Sequence, residues 1–155
     1  MLFFLCGCVV LVSSSCSARY YMKRGNVLHE TGRYYKAASK YEKAYNRTKS
    51  KEFQGVMAMR AGEEYERVNR LKEAHTWYRR SQRADKEKPE VYLKLAHVSV
   101  RMGDTLMARR YYSECDSLFG DTRGGDGVYY VDQLMRDMQQ RGRYAVELKR
   151  DFNSR

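Results

Sequence analysis

Proline occurs once in these 155 residues, as Pro89. So little of the residue that breaks helices leaves long helices open to nearly the whole chain and excludes proline-rich linkers. Histidine occurs three times, as His29, His75 and His97. No two stand four apart around a glutamate, so the helix signature of a zinc protease is missing, and each reads as an exposed or half-buried side chain. Of four cysteines, Cys6, Cys8 and Cys16 lie in the first 16 residues and only Cys115 lies beyond. Cys6-Gly7-Cys8 sits inside an apolar run without partner cysteines or neighbouring histidines, which leaves nothing for a disulfide framework or a metal site. Gly124-Gly125-Asp126-Gly127 lacks the Lys and Ser/Thr of a phosphate-binding loop. Glu63 and Glu64 are neighbours and so point in different directions on a helix, which argues against a paired-carboxylate mechanism. The chain is expected to be no enzyme, with no metal, no cofactor and no small-molecule substrate.

Acidic residues are also scarce, 19 against 30 Lys and Arg, for a formal charge of +11. Residues 1–16 carry no charge, so the whole excess falls on the remainder, which favours anionic partners. Tyr20, Tyr21, Tyr34 and Tyr35 among basic residues could serve base stacking, making a basic helical nucleic-acid-binding protein an alternative reading. The tyrosines follow core periodicity, however, and an anionic membrane surface, a cell-wall polymer or an acidic protein patch is the preferred class. No nucleic acid is expected as partner.

What the chain has in quantity is a recurrence. Gly25, Ala37, Tyr41 and Ala44 are matched by Gly62, Ala74, Tyr78 and Ser81, and these by Ala96, Ala108, Tyr112 and Cys115. The step is 37 residues at all four positions and then 34 at all four. A helix pair of about 34 residues cannot bury its own apolar face and must stack on a neighbour. Alanine, tyrosine and the following small residue fall at i, i+4 and i+7 and so share one buried face of a second helix. Gly32, Asn69 and Gly103 mark the turns, since glycine and asparagine tolerate the left-handed conformation that ends a helix. Cys115 takes the place of Ala44 and Ser81, a position that asks only for a small side chain. The three extra residues of the first step are expected in a longer loop over 46–54.

These positions resemble the tetratricopeptide repeat, which places a small residue at position 8, a turn residue at 15, alanine at 20, an aromatic at 24 and alanine at 27. The resemblance implies an all-α fold: a solenoid of three helix pairs, about 18–51, 55–88 and 89–122, within a region 16–118, followed by a C-terminal capping helix. Gly120, Gly124, Gly125 and Gly127 read as a break, after which Val128, Val131, Leu134, Met135 and Met138 put an apolar stripe on a capping helix over 127–142. Residues 143–155 read as a tail or as a linker to a missing domain.

The apolar run from Leu2 to Val12 is too short to span a bilayer and reads as a signal peptide over 1–15. Its ending, Ser13-Ser14-Ser15-Cys16, resembles a bacterial lipoprotein signal, which implies lipidation of Cys16. The stretches Cys16-Ser17-Ala18-Arg19-Tyr20-Tyr21, Gly32-Arg33-Tyr34-Tyr35-Lys36-Ala37-Ala38 and Phe152-Asn153-Ser154-Arg155 resemble the N-terminal domain of the type IX secretion system's outer-membrane lipoprotein, which also carries propeller and OmpA-like domains. That resemblance implies an outer-membrane lipoprotein facing the periplasm, because no acidic residue follows Cys16 until Glu30. A tetratricopeptide lipoprotein of outer-membrane barrel assembly is the alternative. The family further implies a partner-binding groove on the first helix of each unit: Arg19, Met22, Asn26 and His29, then Val56, Met59, Glu63 and Glu66, then Glu90, Leu93, His97 and Val100. Met22 and Glu90 stand where the chaperone-binding subfamily has clamp lysines, while Asn26 fits its asparagine. Met22, Met59 and Leu93 recur in successive units, either as an apolar ladder for a bound helix or strand or as packing between neighbouring helices.

Overall fold

The computed structural model describes residues 17–120, 124–129, 131–133, 136 and 139–140. Residues 1–16, with Cys16, the stripe residues Leu134, Met135 and Met138, and the tail 143–155 lie outside the described residues. Among the described residues, six helices precede residue 120: α1 (described over 17–30), α2 (Tyr34–Asn46), α3 (Lys51–Arg67), α4 (Leu71–Ala84), α5 (Pro89–Arg101) and α6 (Thr105–Phe119). Described residues from 124 onward are again helical, as α7. No strand occurs among the described residues, and no described helix is long and apolar enough to cross a membrane.

Each helix pair closes through the same backbone motif. Gly32, Asn69 and Gly103 all adopt positive φ, at 71°, 58° and 80°. The following amide donates back five residues in each case, Arg33 to Leu28 O at 2.8 Å, Arg70 to Tyr65 O at 2.8 Å and Asp104 to Ser99 O at 2.9 Å. Together with the shorter bonds from Gly32, Asn69 and Gly103 to the carbonyls three residues back, these form a Schellman cap that satisfies the last carbonyls of α1, α3 and α5.

The small residues let the paired helices approach. A Cβ built on Gly25 would stand 2.6 Å from the Tyr41 ring, and one on Gly62 would stand 2.6 Å from the Tyr78 ring. Ala37, Ala74 and Ala108 are wholly buried, as are Ala58, Ala61, Met57 and Leu95 beside them. The phenols escape the core at its rim: Tyr41 Oη donates to Asn26 Oδ1 at 3.0 Å and Tyr78 Oη to Glu66 Oε2 at 2.7 Å. One apolar core thus runs through α2–α6, because α3 packs on α2 and α4, and α5 on α4 and α6.

Two sequence expectations are corrected. The 46–54 stretch is no longer loop: α2 and α3 are joined by 47–50, and α4 and α5 by the equally short 85–88. The extra residues extend α3, which has 17 residues against 13 in α5. They amount to about one helical turn, started by Ser50, whose Oγ accepts the Phe53 amide at 3.2 Å. Gly124, Gly125 and Gly127 do not break the chain; they lie within α7, which begins before the expected 127. A Cβ on Gly124 would collide with α6 backbone at Asp116 and Tyr112, and one on Gly127 with the Tyr112 ring. Val131 of α7 is fully buried.

Candidate functional site

Helices α1, α3 and α5 stand side by side as the first members of their pairs, and the residues expected to line a groove lie along them. Arg19, Val56 and His97 are exposed, while Met22, Asn26, His29, Met59, Glu63, Glu66 and Leu93 are half-buried. Glu90 is exposed and Val100 half-buried. Met22, Met59 and Leu93 each pack against the core with one side. Leu93 also helps form a recess of about 540 Å³ with Glu90, Lys94, His97, Tyr112 and Asp126. Asn26 and His29 open on a second recess with Glu30, Arg60, Glu63 and Glu64.

The polar members of this face are tied to one another across neighbouring units. Asn26 Oδ1 accepts from Arg60 at 2.7 Å, and His29 Nδ1 lies 2.7 Å from Glu64 Oε1. Glu66 Oε1 meets His97 Nδ1 and Arg101, each at 3.0 Å, while Lys94 Nζ stands 3.8 Å from Glu63. Burial opposes the charge on Glu66, yet the Tyr78 hydroxyl, Lys94 and His97 outweigh it and hold this carboxyl below its ordinary range. Glu64 is only 3% exposed, and its second oxygen meets no donor among the described residues.

These braces decide what the face can do. Asn26 already accepts from both Tyr41 and Arg60, so its carbonyl oxygen is occupied where a carboxylate clamp would need its amide free to turn. Lys94, His97 and Arg101 are matched by glutamates one unit away and Arg60 by Asn26, which leaves the apolar side chains between these braces as accessible contact surface. Sequence reasoning named one partner of most braces and missed Arg60, Glu64, Lys94 and Arg101. The available signal was spacing: the bonded partners stand 31 to 35 residues apart, near one repeat period.

Away from this face, His75 lies on α4, where burial and then the Arg79 charge lower its pKa. Cys115 Sγ is wholly buried and lies 3.7 Å from Pro89 O. Ser81 Oγ makes the same contact one unit earlier, 2.9 Å to Gly55 O, so this column links the two helices of a pair. Among the described residues, no group of three or more His, Cys, Asp or Glu side chains is placed to hold a metal ion.

The family model described as tetratricopeptide repeat matches residues 18–50 and 89–122. No curated protein matches the chain. Among solved structures, the first such domain of Spaghetti (RPAP3) bound to an HSP90 peptide is similar over 79% of this chain and 95% of its own, with 15% identity and a TM-score of 0.66. The second such domain of human RPAP3, in complex with an HSP70 peptide, covers 77% and 96%, with 13% identity and a TM-score of 0.63. YrrB, described as having an unusual peptide-binding site, is 22% identical over 76% of this chain and 61% of its own, with a TM-score of 0.60. At these identities the likeness establishes the fold.

Proposed function

We propose that this tetratricopeptide-repeat chain is a protein-interaction scaffold that receives an extended or helical partner segment along α1, α3 and α5. The observation that carries the reading is the ladder Met22–Met59–Leu93. One half-buried apolar side chain per unit stands on a face where Glu63, Glu66, Lys94 and His97 are already paired across the units. A partner there gains apolar contact without breaking strong ion pairs, and flexible methionines adapt to its shape. Peptides held by two proteins of the same fold agree with this use.

The scaffold acts, in this proposal, at the outer membrane, tethered by lipid on Cys16 and facing the periplasm, as in the type IX secretion lipoprotein whose first domain it resembles. A photo-crosslinking residue at Val56 or Leu93 of the full chain in cells should give discrete adducts with envelope proteins. Their identity separates a secretion complex from a barrel-assembly complex. The same adducts from probes at Lys36 and Arg83, on the second helices of their pairs, would overturn the groove. Palmitate labelling that is absent, together with unchanged fractionation of Cys16→Ser, would overturn the anchor.

A further inference from the structure

At the end of the solenoid where α1 begins and α2 finishes, three cations converge on one ring. Lys40 Nζ and Lys43 Nζ stand 6.0 Å from the Tyr21 centroid, and Arg47 Cζ stands 5.8 Å from it. None of the three takes part in an ion pair among the described residues.

 The one acid of α2, Glu42, instead accepts the Tyr65 hydroxyl at 2.7 Å. Glu52, in the first turn of α3, is engaged by Ser50 Oγ at 2.7 Å.

The same end carries further interfacial features. Arg19 and Lys23 of α1 are exposed, and Tyr20, 58% exposed, stands edge-on to Tyr21 at 5.5 Å. Arg19 shares a small recess with Thr48, Ser50 and Phe53, which fixes the start of α1 beside the α2–α3 connection. Residue 17, the first described residue of α1, directly follows Cys16 in sequence.

From this juxtaposition we infer that the basic and aromatic end of the solenoid lies against an anionic phospholipid bilayer. The inference rests on the lipid-anchor reading for its choice of partner: an acyl chain on Cys16 brings this end to the headgroups, where unpaired cations and an exposed tyrosine are favoured. A single lipid signal joined to a basic patch holds a protein on a membrane more firmly than either alone.

Flotation of the full chain tests it, with vesicles of phosphatidylcholine alone and vesicles that also contain phosphatidylglycerol, at low and high salt. The anionic vesicles should bind about tenfold more tightly at low salt, and K40E/K43E/R47E should abolish that gain while leaving binding to neutral vesicles unchanged. R33E/K36E/K72E, with the same change in net charge at the opposite end, should retain it, and circular dichroism should show both variants folded. Equal loss from both triples would overturn the inference, because net charge alone would then explain the gain. So would retention of the gain in K40E/K43E/R47E, or loss of duplex DNA affinity without loss of vesicle binding. Failure of the anchor is distinct: it shows as Cys16→Ser binding neutral vesicles no differently from the parent chain.

Discussion

A Cβ on Gly62 would stand 2.6 Å from a Tyr78 ring that is fully buried. The ring has no solvent to move into, so Gly62→Ala should destabilise the chain by about 1–3 kcal/mol in urea denaturation, despite alanine's better helix propensity. Cys115→Ser should change stability by less than about 1 kcal/mol, because Ser81 already fills the equivalent place with a hydroxyl that reaches a carbonyl. Cys115→Leu, measured the same way, should cost about 1–3 kcal/mol through overpacking. At this scale the repeat column in the sequence was informative: it marked both sites as small-residue positions. It could not say that one marks a glycine–ring contact and the other a bond between paired helices, because both functions impose the same limit on size.

The turns were legible for the same reason. Asn69 holds φ at 58° without being glycine, and its Oδ1 accepts from Arg101 at 3.0 Å. Asn69→Ala should lose about 1–2 kcal/mol from the left-handed backbone, and Asn69→Gly clearly less, as read from thermal melts of the two variants. Ser50→Ala removes the cap of α3 and should cost about 0.5–2 kcal/mol. The added turn of α3 was not legible. An insertion of three residues between two matched positions reads equally as loop or as helix, and only the cap at Ser50 and the packing of the longer helix decide between them. The glycines of α7 misled in the other direction. Glycine breaks an isolated helix, but here the lack of a side chain is what allows α7 to lie against Tyr112 and Asp116.

Across the whole molecule, two titrations act in the same sense. Glu66 ionises more readily folded than unfolded, so its contribution is present above the ordinary carboxylate pKa and is lost as pH falls through the lowered folded value. His75 is harder to protonate folded than unfolded, so acid below its ordinary value of 6.5 favours the unfolded chain. Stability should therefore decline on acidification, beginning near the histidine range and continuing below the carboxylate one. His75→Gln should flatten the first part of the Tm profile and Glu66→Gln the second; a profile unmoved by either would refute the assignment. The sequence by itself determined the fold, because small and aromatic residues at a fixed period admit one way of stacking helices. Tertiary structure alone decided which charges remain available. Residues 31 to 35 apart pair across α1, α3 and α5, whereas Lys40, Lys43 and Arg47 gather on a ring from another helix without an acid, and such proximity follows from packing rather than from order along the chain.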